Sequence, residues 1–248
     1  MELTVLGAGP AYTDRPGATG AAYLIRSGAD ALLLDLGQGS FPALVSRVEP
    51  STLRAVLVSH LHPDHFVDLV PLRHYLYYEF SPRRRVRVLA PAALGERIDA
   101  LHGQPGFTAA SLDVERLATG TQTIGPFMIE AGLVTHTDES YAFRLATTGD
   151  SRGLVYSGDC GRAADLLPLI RPGDTLLAEV SFGAGPVPPG ALHLDGPAVG
   201  DVATQGRAGR VLLTHIQMGF SPEAAVASVR DRFPGPVDLV MPGFTTEV

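Results

Sequence analysis

Short, continuous apolar runs most restrict the folds open to this chain. They are mostly four to eight residues long and stop at Gly, Pro, Asp or Ser, which reads as buried strands rather than faces of long helices. Strands are expected near Leu3–Leu6, Ala21–Arg26, Ala31–Asp35 and Ala55–Ser59. A second set is expected near Val86–Leu89, Phe127–Val134, Tyr141–Ala146 and Gly153–Tyr156, and a third near Thr175–Glu179, Val211–Thr214 and Val237–Val240. Helices are expected over Asp64–Tyr78, Arg162–Leu169, Pro197–Thr204 and Pro222–Arg232, the last two opening with proline near the first turn. The order departs from strict βαβ alternation. An α/β (α+β) arrangement of two packed sheets with helices on the outer faces therefore suits it better than one doubly wound sheet. No short-period repeat or composition break divides the 248 residues, so one domain spanning residues 1–248 is expected.

Charge and composition exclude several classes. The net charge of −7 argues against a protein that coats duplex nucleic acid, although a local basic groove stays open. The one basic cluster, Ser81-Pro-Arg-Arg-Arg-Val-Arg87, reads as a solvated turn entering a strand. Cys160 stands alone, which rules out a disulfide framework or a thiolate zinc module and suits a reducing compartment. No apolar run approaches the ~18 residues needed to span a bilayer. Met1 leads directly into Glu2-Leu-Thr-Val-Leu-Gly7 without a leader pattern, so a cytoplasmic protein with no membrane partner is expected. Composition leaves the eight histidines unexplained.

Ser59-His60-Leu61-His62-Pro63-Asp64-His65 accounts for three of them. At this chain's own His and Asp frequencies an HxHxDH match arises by chance in roughly one such chain in two thousand, so the motif carries weight. His60 and His62, two apart after the run Ala55-Val-Leu-Val-Ser59, can point the same way from an extended segment. Asp64 and His65 sit where the chain turns into a helix and can face a second point nearby. His136, Asp159 and His215 each stand just past the C-terminal end of another apolar run, and strand ends gathered on one sheet edge are a usual place for a site. Imidazole and carboxylate donors suit zinc, manganese or iron.

These residues resemble the metallo-β-lactamase superfamily, and within it the ribonuclease Z-like branch. The resemblance runs from Glu2-Leu-Thr-Val-Leu-Gly-Ala-Gly9 through Leu33-Leu-Asp-Leu-Gly37 and the HxHxDH run to Tyr156-Ser-Gly-Asp-Cys160 and Leu213-Thr-His-Ile216. It implies a four-layer αββα sandwich of two similar halves holding two divalent metal ions, Zn2+ by family habit. His60, His62 and His136 are the implied ligands of the first metal, and Asp64, His65 and His215 those of the second, with Asp159 bridging both. Asp35 resembles the family aspartate that orients a ligand histidine, and a strand-end carboxylate capping the following glycine turn is an equal reading. His193, after the loop Gly183-Ala-Gly-Pro-Val-Pro-Pro-Gly190, resembles the histidine that approaches the scissile phosphate, although this chain has Asp195 where relatives often carry Thr. Cys160 looks incidental, His74 and His102 read as structural or surface residues, and Glu179, at the end of Leu176-Leu-Ala-Glu179, stays open as a contact that supports a ligand residue.

The resemblance implies a binuclear metal-dependent hydrolase. Two metals about 3.5–4 Å apart hold a hydroxide and polarise the group attacked. Attack on phosphorus would proceed with Asp64 or the metals accepting a proton and His193 serving the leaving oxygen. Ribonuclease Z carries a long arm for tRNA between the counterparts of His136 and Asp159. Only 22 residues separate the two here, so the arm is absent. The chain is more similar to short, atypical cyclic-nucleotide phosphodiesterases of actinobacterial type. A small anionic phosphodiester, a 3′,5′-cyclic nucleotide, ranks first as substrate. RNA 3′-end processing ranks second and a lactone or other ester third, and a non-catalytic metal-binding scaffold is the alternative from another class. The aromatic run Tyr75-Leu-Tyr-Tyr-Glu-Phe80 is a candidate homodimer surface, or equally a helix face packed on its own sheet.

Overall fold

A computed structural model describes residues 1–248. The first sheet contains β1 (Glu2–Gly7), β2 (Ala22–Ser27), β3 (Asp30–Leu34), β4 (Ala55–Leu57), β5 (Val86–Ala90) and β6 (Leu112–Arg116). The second contains β7 (Gly120–Ile124), β8 (Phe127–Leu133), β9 (Tyr141–Thr147), β10 (Leu154–Tyr156), β11 (Thr175–Glu179), β12 (Arg210–Thr214) and β13 (Val237–Leu239). The last strand, β14 (Thr245–Glu247), returns to pair antiparallel with β1. Six α-helices accompany them: α1 (Phe41–Arg47), α2 (Pro63–Phe66), α3 (Leu69–Tyr78), α4 (Leu94–His102), α5 (Gly196–Gln205) and α6 (Pro222–Arg230). None is long and apolar enough to cross a membrane.

Three apolar cores explain why the strand runs are continuous rather than alternating. Leu32 and Leu34 of β3, Leu57 of β4, Phe143 and Leu145 of β9 and Leu212 of β12 meet between the sheets. Their sequence neighbours point the other way, as the two-residue period of a strand requires. Leu33 and Val56 join Leu44 of α1, Leu72 of α3 and Ile98 of α4. Val211 and Leu213 join Val199 of α5 and Val229 of α6. The layers are thus helix, sheet, sheet, helix, the αββα sandwich expected. The two halves also repeat their pairing. Each sheet carries antiparallel strands at one end and parallel strands at the other, in the orders β14-β1-β2-β3-β4-β5-β6 and β7-β8-β9-β10-β11-β12-β13.

Two expected helices differ. Residues 64–78 form α2 and α3 rather than one helix, because neighbouring loop backbone captures the groups an unbroken helix would pair. The Asp64 carbonyl accepts Ala21 N–H and the His65 carbonyl accepts Leu36 N–H, while Asp68 N–H donates to the Leu36 carbonyl. The expected helix 162–169 is a short 3₁₀ segment over Ala163–Leu166, whose Asp165 carboxylate accepts the backbone N–H and hydroxyl of Thr135. The basic turn is solvated, as expected: Arg85 and Arg87 pair with Asp113 and Glu115 on β6, and Arg83 lies 3.6 Å over the Tyr77 ring. On the aromatic run, Leu76 is buried and Tyr75 packs on Phe41, while Tyr78 is exposed.

One buried ion pair ties the second sheet together. Both oxygens of Asp174 accept from the Arg144 guanidinium, at 2.8 and 2.9 Å, and also take the N–H groups of Gly153 and Arg171. Asp174→Ala strands that guanidinium in the interior and is expected to cost about 3–5 kcal/mol of stability. The urea-unfolding midpoint should fall accordingly, and an unchanged midpoint would contradict this.

Candidate metal centre

Five loops that follow β3, β4, β8, β10 and β12 place their side chains on one edge of the sandwich. Past β4, the extended segment after Ser59 sends His60 Nε2 and His62 Nδ1 to within 3.0 Å of each other. His136, past β8, brings its Nε2 to 3.0 Å from the same His62 Nδ1. Asp159 Oδ2 lies 3.7 Å from the Nε2 atoms of both His60 and His136. Pro63 then starts α2, which turns the next two donors toward a second point. There His215 Nε2 is 3.2 Å from Asp64 Oδ2 and 3.3 Å from His65 Nε2, and Asp159 Oδ1 lies 3.3 Å from His65 Nε2. All seven residues singled out in the sequence therefore fall into two groups of four donors that share Asp159.

Four of the five imidazoles are oriented by their other nitrogen. His65 Nδ1 donates to Asp35 Oδ2 at 2.8 Å, and His60 Nδ1 donates to Ser59 Oγ at 3.1 Å. His136 Nδ1 donates to the Leu192 carbonyl at 2.7 Å, and His215 Nδ1 to Ser181 Oγ at 3.1 Å. In the neutral form of each ring these bonds assign the tautomer and leave an Nε2 lone pair facing inward. Asp35 therefore orients His65 rather than merely capping its turn. Its Oδ2 also accepts the hydroxyls of Ser59 and Tyr156, each at 2.7 Å. Ser59, Tyr156 and Ser181 are supports that no sequence motif marks. Their only sequence signal is position, a hydroxyl at or just past the end of an apolar run.

The electrostatics call for a cation. Asp35, Asp64, Asp159 and Glu179 are all buried, and their ion-pair partners are imidazoles without exception. Burial opposes ionisation of Asp159, yet His215, His65 and His60 hold its carboxyl well below the usual range. Burial and the neighbouring His65 push His60 well below its ordinary value, so it presents a neutral donor. His65 behaves oppositely: burial pulls it down, but Asp159 and Asp35 overcome this and hold it well above. Asp159 Oδ1 is buried and has no hydrogen-bond donor. An orphaned carboxylate oxygen among inward lone pairs fits a divalent cation, and donor separations near 3.3 Å are about those across a tetrahedron with bonds of 2.0–2.1 Å.

His193 stands over this centre. Its Nδ1 donates to Glu179 Oε1 at 3.0 Å and lies 3.8 Å from Asp159 Oδ2, and its ring centroid is 4.7 Å from that of His136. Burial would lower it, but the bond to Glu179 holds it above its ordinary value. Glu179 is itself fixed by the N–H groups of Cys160 and Ser181. His74 and His102 lie apart from the centre, together around Phe107.

A sandwich that gathers imidazole and carboxylate donors on one edge in this way defines a metal-dependent hydrolase. A family profile described as a beta-lactamase superfamily domain matches residues 29–216. The Mycobacterium leprae protein ML1173 is 33% identical over 257 residues, covering 100% of this chain and 89% of its own length. YhfI of Bacillus subtilis, a probable metallo-hydrolase, is 28% identical over 258 residues, covering 100% of both chains. The crystal structure of YhfI, a metallo-β-lactamase fold protein, superposes with a TM-score of 0.86 at 25% identity, covering 99% of each chain. Human tRNase Z, short form, shares the fold with a TM-score of 0.75 at 19% identity, covering 100% of this chain and 99% of its own. The chain belongs to the metallo-β-lactamase superfamily.

Cys160 contributes its backbone N–H here, not its thiol. Burial pushes the thiol up to about 12, so it stays protonated through mildly alkaline conditions. Ellman's reagent is expected to leave the native protein unlabelled and to detect one thiol after unfolding in guanidinium. Rapid labelling of the native form would contradict this.

Proposed function

We propose that the protein is a cytoplasmic phosphodiesterase with a binuclear metal centre that hydrolyses 3′,5′-cyclic nucleotides, residues 1–248 acting as one domain. The observation that carries this reading is the sharing of Asp159 between two donor clusters, with the imidazole of His193, tied to Glu179, held beside both. In this reading His60, His62 and His136 would hold one divalent ion and Asp64, His65 and His215 the other, with Asp159 shared by both. Zinc suits these donors, and manganese or iron would accept the same set. Two such ions supply activated water and neutralise charge on the phosphoryl oxygens. Asp64, or the metal pair, would accept the proton released by the attacking water. His193 has Nδ1 tied to Glu179, so Nε2 is the atom that hands a proton to the departing ribose oxygen.

The connection from His136 to Asp159 supports a small substrate. It consists of β9, β10 and the turn over residues 148–153, with no arm to grip an RNA. The acidic net charge of −7 agrees, because a metal pair supplies local positive charge to a small anion but not a broad basic face. The test is turnover of cyclic AMP and cyclic GMP by the zinc- or manganese-loaded protein, beside a precursor tRNA and a lactone series. Faster cleavage of tRNA or lactone than of cyclic nucleotides would overturn the reading.

Two variants probe the parts. His193→Ala is expected to lower the rate on a cyclic nucleotide about 10²–10⁴-fold. It should lower the rate far less on bis(p-nitrophenyl) phosphate, whose leaving group departs without a proton. Equal losses on both would remove His193 as the acid. Asp35→Ala frees the His65 ring, and metal affinity measured by chelator competition is expected to fall about 10–100-fold. Unchanged affinity would make Asp35 a turn cap only.

A further inference from the structure

A cleft of about 310 Å³ opens beside the His60–His62–His136 side of the centre. Leu61 and Pro91 are buried in its wall, and Ala92 adds apolar surface. Thr137, the residue after His136, completes the side nearest the donors. Arg97, one turn into α4, reaches into it and donates from Nη1 to the Leu61 carbonyl at 2.7 Å. Leu61 lies between His60 and His62, so this bond fixes the guanidinium beside the donor loop. It is the one hydrogen bond the Arg97 side chain makes, and no carboxylate pairs with it. The remaining N–H groups form a free fork.

The far rim carries Asp138 and Glu139. Glu139 is engaged by the Arg116 guanidinium and by Ala92 N–H at 2.8 Å. Asp138 is exposed and has no partner of either kind. The cleft thus offers a donor-only fork, an acceptor-only carboxylate and an apolar wall. Arg15, on the opposite flank of the centre, offers nothing comparable, because its guanidinium is bonded to the carbonyls of Ile216, Gln217 and Phe220.

Resting on the cyclic-nucleotide reading above, we propose that this cleft is the base subsite, where Arg97 and Asp138 read the edge of a purine and prefer guanine. Guanine presents O6 and N7 as adjacent acceptors, which match an arginine fork, and N1–H and N2–H as adjacent donors, which match a carboxylate. Adenine places an amino donor where guanine has O6, which sets a donor against the fork. The apolar wall takes the base face, and the volume is at the small end for ligand pockets, as a base alone requires.

The test is calorimetric binding of 5′-GMP and 5′-AMP to the metal-loaded protein, which needs no turnover. The wild type is expected to bind GMP about tenfold more tightly than AMP, and Arg97→Gln and Asp138→Asn should each bring that ratio close to one. The Asp138 side chain makes no hydrogen bond to the donor loop, whereas Arg97 does, so the Asp138 variant separates base reading from any disturbance of that loop. Equal affinity for GMP and AMP in the wild type, or a ratio unchanged in both variants, would overturn the subsite. Selective GMP binding without cyclic GMP hydrolysis would support the subsite while sinking the phosphodiesterase reading, so the two fail separately.

Discussion

Four carboxylates buried on one edge of the sandwich, with imidazoles as their only ion-pair partners, form the constraint on which the rest of this structure depends. Burying an ionised carboxylate is expensive unless it is paired and hydrogen-bonded, and the cost rises when several lie together. Asp35 and Glu179 meet the requirement with ordinary donors from hydroxyls, backbone N–H groups and imidazole. Asp159 does not, since one of its oxygens lacks any donor. The protein tolerates this arrangement because a cation belongs there. The same charge explains why the imidazoles divide, with His60 pushed toward neutrality and His65 held up.

The supports reach across the sandwich and couple the two halves. Tyr156 of β10 donates to Asp35 after β3, while Tyr23 of β2 shares a 2.7 Å hydrogen bond with Thr214 of β12, next to His215. Their rings pack 5.0 Å apart in the core between the sheets. Burial raises both phenols, so they remain donors at any working pH. The sandwich interface and the orientation of the donors are therefore one network. Loosening the packing of the sheets would also loosen His65, a coupling expected of buried polar networks.

The donors were legible in the sequence because each follows an apolar run, and because HxHxDH states its own geometry: alternation in the extended part, adjacency at the helix start. The central strands were legible because burial on both faces makes them uniformly apolar. The edge strands β6, β7 and β14 were not, since Leu112-Asp-Val-Glu-Arg116 and Gly120-Thr-Gln-Thr-Ile124 face solvent and read as polar loop. Helices α1 and α4 bury only one or two residues each, too few to mark a period. The break between α2 and α3 was illegible for another reason. It comes from carbonyls claimed by residues 21 and 36, far away in the chain, and no local propensity records that.

The repeated pairing of the two halves makes their unequal contributions informative. The second half places single donors at three strand ends, His136 after β8, Asp159 after β10 and His215 after β12. The first half concentrates four in the loop after β4. Two glycines of its other turns make room for that loop: a Cβ on Gly37 would stand 1.8 Å from the Asp64 carbonyl oxygen, and one on Gly20 would stand 2.6 Å from it. Backbone at 20–21 and 36–37 cradles the donor loop directly, through Ala21 N–H to Asp64 and Leu36 N–H to His65 at 2.9 and 2.8 Å. Gly20 and Gly37 can carry no side chain without lifting Asp64 and His65 off their point of convergence. The centre depends on side chains missing from one set of turns as much as on imidazoles present in the other.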